Sequence, residues 1–583
     1  MKKNLLAVLC LILAIALVAC GGGAGGNNGG SKPESEAPAE TEEAEAPEEP
    51  EEAEAPAEAE TTVVTGEAEG YGGPIQAEVT VDADGKIVDL VLTGEKETAE
   101  IGGAALPTLQ EAIVKAGTVE GVDVVSGATW TSKGVFSAVN SALGIEEEPA
   151  AEEPAAEAVA ASGLKHGLGI ASTPRLGPGA DDKEVPVYSL NEVVAYVITD
   201  EEDRIVDLEV DILELITPNH DGAEDNYMAG WPGAIYNNDE DGDGTVDGEL
   251  EETEEAWVER LKGFITKRDL GSSYKMNSGT WAEEMDAYEE YFKGKTADEI
   301  QEAVATLFSD LNGRPLNGNS DKEEDIAKRD ALTEEQLAEI DAMAGATMSI
   351  NDAHGDMVTA ICNAIANAKP IESDQEISKI GLGVIVTPRL GPGADDKEIP
   401  VYSFNVVMAG TALDAEDKLV ATKVDILEII TPNHDSADDN KFAGWPGQKY
   451  NADMDGDEVT ETELEQTEET FVEMASAYRT KRMLGSAYKM NSGTWEQEMD
   501  AYEAWLQGKT SAEIDEAVAT LFSDLNGRPL NGNSDKEEDI AKRDALNEDQ
   551  LAEIDALAGA TMSINDAHGD MVSAIQKSIG AAK

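Results

Sequence analysis

The chain repeats itself. Thr347 and Thr561 stand 214 positions apart, as do His220 and His434, and so do Thr173-Pro174-Arg175 and Thr387-Pro388-Arg389. These landmarks align without net gaps, so residues 163–369 and 377–583 are expected to adopt one fold twice. The block 309–332 returns unchanged as 523–546 and reads as the trace of a recent duplication. With 583 residues there is room for three or four domains.

Each copy opens with a predicted strand pair. In the first copy, 186–199 leads through an acidic turn into 205–215. A helical middle follows, in which Trp281, Met285 and Tyr288 share a face, Gly294 ends a helix and Thr296-x-x-Glu299 is a capping box for the next. The copy closes on a Gly-Ala-Thr turn and a helix bearing Met357, Ile361 and Ile365. A shorter segment upstream keeps the same order. Residues 75–81 alternate as a strand, 82–85 turn, 87–92 form the partner, and 106–114 a helix. A turn at 123–128 then precedes a helix with Val135, Phe136, Val139 and Leu143 on one face. The expected class is α+β: three tandem domains, each a small antiparallel sheet plus helices. In the last two, a helical insertion of about a hundred residues separates the halves, too long for a loop.

The segments between these domains cannot bury a core. Residues 20–61 run from Gly/Asn into Pro, Glu and Ala and read as a disordered tether; 146–162 is a second acidic linker and 370–376 a shorter join. This leaves 62–145, 163–369 and 377–583 as the folded units. The formal net charge of -80 argues against nucleic acid as a partner and against docking on anionic lipid by surface charge. At the other end, Lys2 and Lys3 precede the apolar stretch 5–18, which is short for a membrane span. It runs into Leu17-Val18-Ala19-Cys20, which resembles a bacterial lipobox. The resemblance implies a signal peptide over 1–19, lipid on Cys20, and a chain held on the extracytoplasmic face of the cell membrane. Of the three cysteines, Cys362 is left beside Ile361 and Ile365 as a core residue, with no disulfide framework to build.

Three turns carry the chemistry: Asp123 with Ser126-Gly127-Ala128-Thr129, Asp341 with Ala344-Gly345-Ala346-Thr347, and Asp555 with Ala558-Gly559-Ala560-Thr561. Small residues let a backbone approach a ligand closely. A helix start offers unpaired N–H groups and the positive end of the dipole, so an anion is stabilised there. Taken alone, such a threonine is as well explained as a helix cap.

The flanking residues add a resemblance. Gly70-Tyr71-Gly72-Gly73, residues 79–88 with the Asp84-Gly85 turn, Glu97-Thr98, and Asp123-x-x-Ser126-Gly127-Ala128-Thr129-x-Thr131-Ser132 are similar to the flavinylated FMN-binding domain family. That family includes the C subunit of the sodium-pumping NADH:quinone reductase and the G subunit of the Rnf complex. The resemblance implies that a separate flavin transferase esterifies the Thr129 hydroxyl with the phosphate of FMN. The long copies look like a divergent branch found in multi-repeat surface flavoproteins, through Phe264-Ile265-Thr266-Lys267-Arg268, Leu270-Gly271 and Gly294-Lys295-Thr296. Alanine replaces serine at 344 and 558 and no Glu-Thr element is evident, so Thr347 and Thr561 are either further acceptors, giving up to three flavins, or plain caps.

Weaker patterns accompany these. Asp239-x-Asp241-x-Asp243-Gly244 matches the first half of a calcium-binding EF-hand loop, but Leu250 stands where the bidentate acid belongs, so a solvated acidic loop is the alternative. His354 and His568 follow the long-copy threonines closely enough to approach a flavin, whereas His220 and His434 suit surface turns. Trp231 and Trp445 could stack on a ring, with packing as the better account. No GxGxxG follows a strand, so a self-contained flavin reductase is not expected. The implied function is an electron carrier or reductase subunit fed by a membrane quinone- or NADH-linked donor, with an extracytoplasmic acceptor or reductase. The alternative is a surface binding lipoprotein whose long repeats recognise a ligand or wall polymer, with calcium.

Overall fold

The computed structural model describes residues 61–69, 74–83, 85–94, 96, 102–119, 122, 129–145, 158–177, 187–218, 226–238, 248–276, 279–343, 345–391, 401–432, 440–452, 462–490, 493–557 and 559–583. Cys20, Glu97, Thr98, Asp123, Ser126, Gly127, Ala128, His220, His434, Asp239, Asp241 and Asp243 lie outside them. The chain is mixed α/β, built of small antiparallel sheets and helices.

In the first segment β1 (Thr62–Glu69), β2 (Pro74–Val81) and β3 (Ile87–Thr93) form an antiparallel meander. Two helices follow, α1 (Gly102–Ala116) and α2 (Thr129–Ala142). In β2 the alternation predicted from sequence buries Ile75, Ala77 and Val79 and leaves Gln76 and Glu78 outside. That face packs on Leu109 and Ile113 of α1 and on Val135, Ala138 and Val139 of α2. Residues of β1 were not expected to be a strand. They include Gly66, where a side chain would run into the backbone of Ala138 and Ala142. The closing helix therefore lies against the first strand at a distance only glycine allows.

The first long copy has β4 (Lys165–Arg175), β5 (Ser189–Thr199) and β6 (Ile205–Ile216), again an antiparallel meander, the helix α3 (Trp281–Phe292) and the closing helix α4 (Met357–Ala366). The second has β7 (Lys379–Leu390), β8 (Tyr402–Leu413), β9 (Leu419–Ile430), α5 (Trp495–Leu506) and α6 (Met571–Ala581). Here too the first strand went unpredicted. Again it carries the glycines that admit the closing helix: Gly167 and Gly169 meet the backbone of Ala364, and Gly381 and Gly383 that of Ser578 or its neighbours.

Every residue of β5 is buried. Val193, Ala195 and Val197 face a core shared with α3 and α4. Leu190, Val194, Tyr196 and Ile198 face the other way, into a core shared with Phe404, Val406 and Met408 of β8. The two long copies therefore pack sheet to sheet through one continuous core, a reciprocal contact. The Trp231 indole donates to Phe442 O at 2.7 Å, and the Trp445 indole donates to Met228 O at 2.7 Å. Tyr188 donates to Glu468 at 3.1 Å and Tyr402 to Glu254 at 2.7 Å. Residue i of one copy meets j of the other, and j meets i, as in a two-fold dimer interface. The joins also pair: Val159–Ala160 bonds antiparallel to Glu376–Ile377. Among the described residues no helix is long and apolar enough to cross a membrane.

Candidate functional site

Thr129 is the first residue of α2. The first turn of α2 contains no acidic residue. Thr131 and Ser132 behind it are buried, 1% and 0% exposed. A helix entrance with no carboxylate on its own first turn suits the phosphate of a flavin nucleotide. Ser126, Gly127, Ala128, Asp123, Glu97 and Thr98, which belong to the same expected site, fall outside the described residues.

Thr347 and Thr561 were expected to precede their helices in the same way. They do not. In the first copy a tight hairpin, Asn351–Asp352 paired with Gly355–Asp356, intervenes, and α4 starts at Met357 with Asp356 as its cap. The cap side chain accepts from Thr359 N at 2.9 Å. The turn amides are taken by a glutamate of α3. Glu284 of α3 accepts from Thr347 N at 2.8 Å, from Met348 N at 2.6 Å and from the Thr347 hydroxyl at 3.1 Å. Glu498 of α5 repeats this with Thr561 N at 2.8 Å, Met562 N at 2.7 Å and the Thr561 hydroxyl at 3.1 Å. Both carboxylates are 0% exposed. The position an anion would take at these turns is thus held by the protein's own buried carboxylate, and a second negative charge there is opposed by repulsion at low dielectric.

Thr561 also borders a cavity of about 400 Å³ with Arg528, Lys536 and Arg543 in its wall. Those cations suit a phosphate, but the hydroxyl that would carry the ester is engaged by Glu498.

Sequence reading did not foresee a second, smaller cavity, and it occurs in both copies. In the first it measures about 200 Å³, and Lys267, Tyr274, Trp281, Arg314, Met348 and His354 contribute to its wall. The second, about 230 Å³, is lined by the residues 214 positions on, and every lining residue is of the same type. Identity at this offset was the available signal, because neighbouring positions in the same cores differ: Tyr291 against Trp505, Phe292 against Leu506, Cys362 against Gln576. Lys267 is buried and meets Glu214 at 3.2 Å. Burial disfavours its charge, but the Glu214 carboxylate and Tyr274 outweigh this and hold it above the usual lysine value. Burial likewise opposes the charge on Glu214, yet Lys267 keeps it below the usual carboxylate range. His354 Nδ1 lies 3.1 Å from Asp352, which orients the ring at the cavity edge. His354 and His568 line these cavities, and Trp231 and Trp445 are core residues.

Residues 70–144 match the model of the FMN-binding domain family. This segment is an FMN-binding domain, and the match runs through Thr129 and the whole of α2. Over 226 residues the chain is 29% identical to the chlorophenol reductase of Desulfitobacterium hafniense, a match covering 37% of this chain. The match spans 61% of that relative's length.

Proposed function

From the membership of residues 70–144 in the FMN-binding domain family we propose a lipid-anchored extracytoplasmic flavoprotein that carries FMN esterified to Thr129 and relays electrons. The observation that carries this reading is Thr129 at the opening of α2, within the family match and with no acid on the first turn. FMN supplies one- and two-electron redox chemistry when bound. The chain's part is to hold it. The first-turn N–H groups of α2 stabilise the phosphate, and an ester to Thr129 keeps the flavin on a protein exposed to dilution outside the cell. Asp123, Ser126, Gly127, Ala128, Glu97 and Thr98 complete the site in this reading.

The long copies are divergent domains of the same plan, giving three tandem units with helical insertions in the last two. The glycine-mediated contact between closing helix and first strand supports this. In them Glu284 and Glu498 take the anion's place, so Thr347 and Thr561 serve as structural anchors and the chain carries one flavin. The partners in this reading are a flavin transferase, a quinone- or NADH-linked membrane donor, and an extracytoplasmic acceptor or reductase. The likeness to a chlorophenol reductase supports a reductive role. The lipobox-like Leu17-Val18-Ala19-Cys20 supports the anchor, with 20–61 as tether.

The test is intact mass of the chain matured with a flavin transferase. One FMN increment is expected, lost in Thr129→Ala and retained in Thr347→Val and Thr561→Val. A chain that gains no flavin mass and shows no fluorescent band on a denaturing gel overturns the reading; two or three increments overturn the assignment of Thr347 and Thr561.

A further inference from the structure

The paired cavities lie outside everything the flavin reading uses, and their chemistry is specific. Tyr274, Trp281 and Met348 give flat and polarisable walls, and the wall carries two cations, Lys267 and Arg314, and one acid, Asp352, which is held by His354. In a chain of net charge -80 an aromatic pocket that offers an arginine is built twice. Lys267 is already committed to Glu214. Arg314 and Arg528 are exposed, and among the described residues neither guanidinium has a salt-bridge partner. Size narrows the ligand further. A cavity of about 150 Å³ accepts benzene, and these measure about 200 and 230 Å³. That leaves space for one aromatic ring and a small charged substituent, and too little for the three fused rings of a flavin.

We propose that each long copy binds one small aromatic anion, a single ring bearing a carboxylate or phenolate, two per chain. The ring lies between Trp281 or Trp495 and the methionine wall, and the charge meets Arg314 or Arg528. His354 and His568 stand at the cavity edge, each fixed by its aspartate, at 3.1 Å to Asp352 and 3.2 Å to Asp566. This leaves Nε2 as the nitrogen able to face the ligand. The site does not depend on the flavin, and it assigns the cavities a ligand whatever the redox partners are.

The probe is benzoate, titrated calorimetrically into the full mature chain made without a flavin transferase, so that loss of flavin and loss of this site stay distinguishable. Two benzoates per chain are expected. Cyclohexanecarboxylate, which has the charge without the flat ring, and benzyl alcohol, which has the ring without the charge, are each expected to bind at least about tenfold more weakly. Because the arginines are exposed, Arg314→Gln should leave thermal unfolding unchanged and reduce the stoichiometry to one, and Arg314→Gln with Arg528→Gln should abolish binding. Arg314→Lys should recover part of the affinity. Absence of binding at millimolar benzoate overturns the proposal. So does a stoichiometry of two that survives the double substitution, or benzyl alcohol binding as tightly as benzoate.

Discussion

Two glutamates decide what the long-copy threonines are. Glu284 satisfies two backbone amides and a hydroxyl in a fully buried place, so its removal strands donors that have no water to turn to. Glu284→Ala should cost about 3 kcal/mol in urea unfolding. Thr347→Val, which removes only the hydroxyl, should cost about 1 kcal/mol. Two other buried groups make stability depend on pH in opposite directions. His166 is buried against the Tyr196 hydroxyl at 3.2 Å. Burial, reinforced by Lys423, Arg482 and Lys369 and opposed by Asp500, lowers its pKa from 6.5 to about 3. The unfolded chain therefore binds the extra proton first, and His166 costs stability as pH falls from about 6.5 towards 3. Burial raises the Glu192 carboxyl from 4.5 to about 8, a shift partly offset by the Ser172 hydroxyl, which donates to it at 2.5 Å. Here the folded chain holds the proton longer, so stability is lost as pH rises from about 4.5 towards 8. The second copy has Ile380 and Val406 at these positions, so the chain itself contains the apolar solution. Glu192→Val should raise stability at pH 8 by on the order of a few kcal/mol and do much less at pH 5. Equal gains at both values would remove the assignment of a protonated Glu192.

The next scale is the contact between closing helix and first strand. At Gly66 a methyl group would strike the carbonyl of Ala138 and the amide of Ala142, and backbone atoms of a helix have nowhere to go. Gly66→Ala should cost about 2–3 kcal/mol and push α2 outward, displacing the helix entrance at Thr129. The measurement is flavin yield in the full chain beside limited proteolysis within 62–145; unchanged yield and protection would show that the helix has room. This contact also explains which elements could be predicted. The alternation in β2 and the faces of α2 and α3 were legible, since burial on one side writes itself into a period. The capping box at Thr296 and Glu299 was legible too, and it is formed. The first strand of each unit was not. β1, β4 and β7 carry glycines, and β4 and β7 also Pro174 and Pro388, so their sequences read as loops while their glycines serve a helix distant in sequence. The helix start at Thr129 was foreseen from local turn chemistry. The hairpin that separates Thr347 from its helix was not, because Glu284 reaches that turn from 63 positions upstream, and such long-range pairing leaves no local mark.

At the scale of the molecule, the two long copies pack like the halves of a dimer within one chain, and their sequences differ at the contact. Tyr196 and Gly410 occupy equivalent positions and touch, so the pseudo-two-fold axis passes between them. Any side chain on Gly410 would collide with the Tyr196 ring, which is 0% exposed. Two tyrosines would overfill this spot and two glycines would leave a hole; one of each fills it. Tyr196→Ala should therefore cost about 3–5 kcal/mol as a cavity mutation, and Gly410→Tyr in the intact chain should prevent the sheets from closing on each other. The same asymmetry sets how the halves behave when cut apart. Each would expose the apolar face that carries Leu190, Val194 and Tyr196, or Phe404, Val406 and Met408. Neither matches a second copy of itself. Produced together as two chains, residues 158–372 and 373–583 should assemble one to one, held by the reciprocal tryptophan and tyrosine bonds, and sedimentation of the mixture should show that species. If each half alone gave a homodimer as stable as the mixed one, the Tyr196–Gly410 contact would have no part in choosing the partner.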